Sequence, residues 1–178
     1  KANFGDPQLP GKKNAFLHPA DQAFPYQNTT LAVHLARWVS TLISVGTVAL
    51  TLTAARFILR DNPLAIASAG ILAFTPQFLF ISASVSNDPL ITLTSTLTLV
   101  ALLWVIRDGA DIRKSILLGV AVGLMALSKL IGLALALLTV SIFICVTRSL
   151  KYSLFVVGLS ALLAGWWRRF RGITGRHG

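Results

Sequence analysis

Charge is scarce in this chain, and negative charge scarcest. Only 12% of the 178 residues are charged, and the six acidic ones are all aspartate. A soluble domain carries about 25% charged residues, so a water-soluble globule is a poor match. Cys145 is the sole cysteine, which excludes an internal disulfide. There is no glycine-rich phosphate loop, no Gly-x-Ser-x-Gly element and no cysteine pair, so the corresponding nucleotide, hydrolase and redox chemistries have no carrier. Asp6, His18, Asp21, His34 and Asp88 are scattered without metal-ligand spacing. No cofactor is identified, and the sequence leaves a divalent metal open.

What the chain does have is apolar length. Hydrophobic residues make up 54% of it, and charge-free runs cover 38–55, 62–87, 89–106, 115–128, 130–147 and 152–167. A bilayer core of about 30 Å takes roughly 20 apolar residues per helix. The expected fold class is therefore all-α, a multi-span transmembrane bundle of about six helices. The net charge of +10 does not point to nucleic acid. Most basic residues flank the apolar runs, where they meet lipid headgroups, and they form no continuous basic face.

Three regions are expected. Residues 1–37 are a polar, proline-bearing extramembrane arm with an interfacial segment, 38–167 the helical membrane domain, and 168–178 a basic tail. A first helix starts near Leu31, capped by Asn28, Thr29 or Thr30, and runs to Leu59. Arg60-Asp61-Asn62-Pro63 is a short loop. The second span, 64–84, holds Pro76, which removes one backbone hydrogen bond, frees the Leu72 carbonyl and predicts a kink. The third span is 89–106. Residues 115–147 carry one charge, Lys129; as a single helix they would extend about 50 Å, so two helices hinged at Ser128-Lys129 are expected. Ser115, Gly119 and Gly123 repeat every four residues, a spacing that lets another helix approach closely.

Short-loop Lys and Arg set orientation. Arg56, Arg60, Arg107, Arg113, Lys114, Arg148 and Lys151 fall on one side, whereas the other side has none in the 85–88 turn and only Lys129. The first side is expected to be cytoplasmic, with the arm, Asp88 and Lys129 outside. Arg168, Arg169, Arg171 and Arg176 then also fall outside, against the rule. A five-span count returns this tail inside but moves Arg148 and Lys151 out; six spans are retained.

Asp88 is the only acidic residue between Asp61 and Asp108, and it sits in the turn Ser86-Asn87-Asp88-Pro89. It reads as a helix N-cap before a proline in the first turn, as a carboxylate lining an outward site, or as both. Gln77, Ser84 and Asn87 are expected near one helical face of the second span. Lys129 reads either as a snorkelling lysine or as an ionisable group set among membrane segments for function, able to meet a lipid phosphate. His34 and Arg37, three apart on the first helix, fit the headgroup layer or an anion site shared with Lys129.

The order of features resembles a known family. Asn14-Ala-Phe-Leu-His18-Pro19, Phe24-Pro25-Tyr26 and Leu31-Ala-Val-His34-Leu-Ala-Arg37 come first. Phe74-Thr-Pro-Gln-Phe-Leu-Phe-Ile-Ser82, Asn87-Asp88, Gly123-Leu-Met-Ala-Leu-Ser-Lys129 and Gly165-Trp166-Trp167 follow. Over 14–167 the chain resembles GT-C superfamily membrane glycosyltransferases, nearest to glycosyltransferase family 39, with the protein O-mannosyltransferases and the aminoarabinose transferase of lipid A. The series in order carries the resemblance; no single motif does.

The resemblance implies a multi-pass enzyme of a bacterial cytoplasmic (inner) membrane. It would move a sugar from a polyprenyl-phosphate donor to an extracytoplasmic glycan, lipid or protein acceptor, with no nucleic-acid partner. It implies a catalytic acid in a first outer loop preceding most of this chain, so the catalytic residue is unknown and the chain is expected to be a fragment, inactive by itself if that loop is missing. By the same resemblance Asn87 and Asp88 match a second outer loop and Lys129 the lysine of a Leu-Thr/Ser-Lys element. The substrate-binding candidates are Asn87, Asp88, Lys129, Arg37 and His34. After Trp167 the family pattern is lost, which suggests a truncated or frame-shifted end. The alternatives are a transporter or lipid flippase, in which Asp88 and Lys129 belong to a substrate path, and a non-catalytic membrane subunit.

Overall fold

A computed structural model describes Phe24 and residues 26–174. The chain divides into two units at the 36/37 boundary, and each is described by itself. The described residues contain seven helices and no strand: α1 Asn28–Leu59, α2 Asn62–Ala73, α3 Pro76–Ser82, α4 Asp88–Asp108, α5 Ile112–Ser128, α6 Leu130–Thr147 and α7 Leu150–Thr174. The all-α expectation holds.

Local chemistry explains where these helices begin and end. α1 starts three residues earlier than expected, at Asn28, whose φ of 48° is a left-handed conformation that asparagine tolerates. Arg60, at φ 54°, turns the chain out of α1. Asp61 then caps α2, its carboxylate accepting the Leu64 N–H at 3.1 Å, with Pro63 in the first turn. The kink expected at Pro76 is a full break: α2 and α3 meet at 64°. The Leu72 carbonyl does not stay free, because the Thr75 N–H donates to it at 3.1 Å. α3 ends at Ser82, so Ser84 and Asn87 lie beyond it. The polar stripe expected from Gln77 through Ser84 to Asn87 is therefore not formed by one helix.

The core lies among α4, α5, α6 and α7, built on Ile91, Leu102, Val105, Leu118, Met125, Phe143 and Val156. α5 is central because it is thin. A Cβ on Gly119 would sit 3.1 Å from Leu159, and one on Gly123 2.7 Å from Leu163, so two α7 leucines occupy the space the glycines leave. The Ser160 hydroxyl, also on α7, donates to the Gly119 carbonyl at 3.1 Å. α1 lies against α4 at Gly46, where an added Cβ would stand 3.2 Å from Leu93.

Outside this core the surface is apolar. Trp38, Leu42, Ile71, Phe80, Leu137 and Leu150 are all exposed, an arrangement that water penalises and lipid does not. Many hydroxyls avoid open exposure by donating one turn back along their own helix: Ser44 to Ser40, Thr51 to Thr47, Thr94 to Leu90 and Thr98 to Thr94. This local bonding lets a serine- and threonine-rich helix sit in hydrocarbon. α1 and α4 are each long and apolar enough to cross a bilayer, and α2 with α3 makes a third candidate. Ile131–Thr147 and Leu150–Leu163 are shorter apolar helices. The charge-free part of α5, 115–128, spans about 21 Å, short of a 30 Å core.

Candidate functional site at the Asn87-Asp88 turn and Lys129

Two breaks in helical structure build the site. The first is the turn between α3 and α4. The Ser84 hydroxyl donates to the Ile81 carbonyl at 2.8 Å and lies 3.2 Å from the Ser86 hydroxyl, which in turn accepts the Asp88 N–H at 3.3 Å. These short links hold the turn and set Asp88 as the first residue of α4. The N-cap position falls to Asn87, which makes no side-chain capping bond. The reading of Asp88 as a cap is corrected: its carboxylate is engaged elsewhere. A carboxylate in a first helical turn still complements the helix dipole.

The second break is at Lys129. Its backbone is extended, φ −161° and ψ 155°, and it ends α5 and opens α6 at once. The expected hinge is there. Gly132 makes the break tight, its N–H donating to the Lys129 carbonyl at 2.9 Å. A Cβ on Gly132 would collide with the Met125 carbonyl oxygen and stand 3.1 Å from Ile91 Cδ1. Ile91 is three residues beyond Asp88, so this close approach also brings the two breaks together. The Lys129 ammonium donates to Asp88 Oδ1 at 2.5 Å. Both side chains stay partly exposed, 51% for Lys129 and 39% for Asp88, so the pair is open to an arriving ligand.

Asn87 is exposed beside Asp88. Arg37 is exposed on α1, with no acidic partner among the described residues. Thr41, one turn further along, donates both to the Arg37 carbonyl at 3.0 Å and to the Ser82 carbonyl at 3.3 Å. That second bond sets this part of α1 against the end of α3, next to the 84–88 turn. His34 belongs to the other unit, where its ring stacks on Tyr26 at 3.9 Å between centroids; Phe24 meets Tyr26 edge-on at 5.8 Å. Asp6, His18 and Asp21, the side chains of Trp166 and Trp167, and those of the basic tail lie outside the described residues. Among the described residues no three His, Cys, Asp or Glu side chains gather as a metal site.

Reading by sequence passes over Ser86 and Gly132. A serine two residues before an aspartate, and a glycine three after the hinge lysine, were the available signals. The chemistry of the pair is defined by its donor set. An ammonium offers three hydrogens and a positive charge, and an ionised carboxylate only accepts. Together they suit a ligand carrying an anion next to hydroxyl groups.

Residues 8–170 match the family model described as dolichyl-phosphate-mannose-protein mannosyltransferase. The chain belongs to this family. It is thereby a membrane glycosyltransferase of the GT-C type. The match takes in both helical breaks and every candidate residue. Curated proteins and solved structures yield no match to it.

Proposed function

We propose that this mannosyltransferase-family chain binds a polyprenyl-phosphate sugar at the Asp88–Lys129 end of its bundle and passes the sugar to an extracytoplasmic acceptor. The observation that carries the reading is the ion pair itself: two groups from separate helical breaks, both partly exposed, meeting at one end of the bundle. Lys129 neutralises the lipid phosphate in the bound donor and as it departs, the role for which a fixed cation near developing negative charge is suited. Asp88 holds Lys129 in place before the donor arrives and accepts hydrogen bonds from sugar hydroxyls afterwards. Asn87 is exposed to the same ligand, and Arg37 is a second cation for the phosphate. His34, stacked on Tyr26, is an interfacial group of the arm. The general base that takes the acceptor's proton is none of these.

The topology follows the same reading. α1, the α2–α3 pair, α4, α5, α6 and α7 are six passes of a cytoplasmic (inner) membrane, bacterial by the resemblance, with Asp88 and Lys129 outside. Residues 1–37 form the outer arm, 38–167 the membrane domain and 168–178 the tail. Short-loop charge supports this orientation.

Sugar transfer from polyprenyl-phosphate donors in membranes tests it. Lys129→Met is expected to lower transfer about 100-fold or more, the scale for losing one preorganised charge contact, and Asp88→Asn by a smaller factor. Unchanged transfer in both variants removes the pair from the site. Movement of the intact lipid-linked sugar without transfer would instead support a flippase.

A further inference from the structure

A cavity lies at the end of the same helices far from the Asp88–Lys129 pair. It has a volume of about 310 Å³ and is lined by Val105, Gly109, Val146, Thr147, Ser149 and Tyr152, among others. α4 is 21 residues long and α6 is 18, so their far ends lie about 27–31 Å from the Asp88–Lys129 pair. That is roughly the thickness of a bilayer core, and the cavity sits where the opposite headgroup layer would be.

The composition of the cavity is amphipathic. Val105 and Val146 form an apolar wall, and Thr147, Ser149 and Tyr152 bring hydroxyls. Thr147 Oγ1 is buried and has no hydrogen-bond partner. A buried hydroxyl left unsatisfied is costly, and a ligand oxygen would relieve it once a small rotation of the Thr147 side chain turned it to the cavity. Charge supplies the third element. Arg148 and Lys151 alternate with the lining residues along 146–152, both exposed and without an acidic partner among the described residues. Arg148 adopts φ 48° and closes α6, its N–H donating to the Ile144 carbonyl at 3.0 Å, so its backbone is fixed between Thr147 and Ser149. Nearby cations are already committed: Lys114 bonds the Gly109 carbonyl at 2.9 Å and lies 3.9 Å from Asp108, and Arg107 lies 3.5 Å from Asp108. Arg148 and Lys151, set within the lining segment 146–152 and without an acidic partner among the described residues, are therefore the cations best placed for a ligand in this cavity.

We infer that this cavity is a binding site for an anionic phospholipid, its phosphate between Arg148 and Lys151 and its glycerol region against Thr147 and the valine wall. Basic pockets between membrane helices hold anionic headgroups by this combination of charge and shape. The site is separate from the donor site and independent of the transfer reaction.

The chain in nanodiscs of mixed phosphatidylcholine and phosphatidylglycerol, with the lipids it retains counted by native mass spectrometry, tests the inference. The parent is expected to retain phosphatidylglycerol in preference. Removing Arg148 and Lys151 together as glutamines is expected to lower that retention by about fivefold for each cation. Arg60→Gln with Arg113→Gln, an equal change of charge on exposed residues outside the 146–152 segment, leaves retention unchanged. Thr147→Val lowers retention without lowering the thermal midpoint in pure phosphatidylcholine, which separates lost binding from lost folding. An equal fall in both double variants overturns the inference, because it reports general attraction to the surface. So does unchanged retention in Thr147→Val, or inorganic phosphate in phosphatidylcholine discs raising the thermal midpoint as much as phosphatidylglycerol does.

Discussion

The two ends of the helical bundle carry charge in opposite ways. At one end, among the described residues, one acid meets one base, Asp88 with Lys129, and the surrounding turn is held by serine hydroxyls. At the other, Arg107, Arg113, Lys114, Arg148 and Lys151 share the loops with Asp108 and Asp111. Two of these cations are braced, Lys114 over the Trp104 ring at 5.5 Å and Arg107 over Phe57 at 5.4 Å. Such crowded charge suits a headgroup layer, with Arg148 and Lys151 set apart by the cavity beside them. The pair built from two helix breaks depends on both of its members, and losing either leaves the other without its partner. On the proposed function, the difference separates charge that meets headgroups from charge that binds the sugar donor.

The contrast is broken most severely at Gly132. If the site end depends on the tight break after Lys129, Gly132→Ala is expected to be disruptive, because the new Cβ runs into backbone, the Met125 carbonyl oxygen, which has no rotamer to move. A loss of about 3 kcal/mol, the upper part of the overpacking range, is expected in thermal or detergent unfolding, with transfer falling at least as far as in Lys129→Met. Stable protein with full transfer would show that the break tolerates a different course.

A smaller effect is expected midway between the ends. Gly123→Ala places its Cβ 2.7 Å from Leu163 Cδ1, the far end of a flexible side chain, and 3.0 Å from Leu163 Cβ. The cost is expected near 1 kcal/mol, the low end of the same range. Leu163→Ala in the same chain should recover part of it, and residual transfer per folded molecule should match the parent. A selective loss of transfer with normal stability would mean that the α5–α7 contact acts on the site directly.

How much of this was legible in the sequence depends on the range of the interactions involved. The loop at Arg60-Asp61 and the hinge at Lys129 are local and were readable, and the interruption at Pro76 was readable as a kink, short of the full break it makes. The reading of Asp88 as an N-cap failed because a contact 41 residues away in sequence, with Lys129, claims the carboxylate; spacing along one helix carries no sign of it. The Gln77–Ser84–Asn87 stripe failed because α3 stops at Ser82, where the Ser84 N–H and hydroxyl both turn back to the Ile81 carbonyl. Gly132 was invisible for a similar reason. Its role is to let backbone approach backbone, which a sequence of alternating Leu, Ile, Gly and Ala does not distinguish from ordinary membrane helix. Family membership over 8–170 agrees with the order of motifs, although each motif was weak by itself.

The central claim is that Lys129, held by Asp88, receives the phosphate of a lipid-linked sugar. Donor binding tests it most directly, since it needs neither an acceptor nor an assigned general base. With a polyprenyl-phosphate sugar titrated into nanodiscs, Lys129→Met is predicted to weaken binding by about tenfold to 150-fold, the range for one hydrogen bond to a charged group, while the Arg60→Gln, Arg113→Gln variant binds as the parent does. Equal donor affinity in the parent and in Lys129→Met would contradict the account.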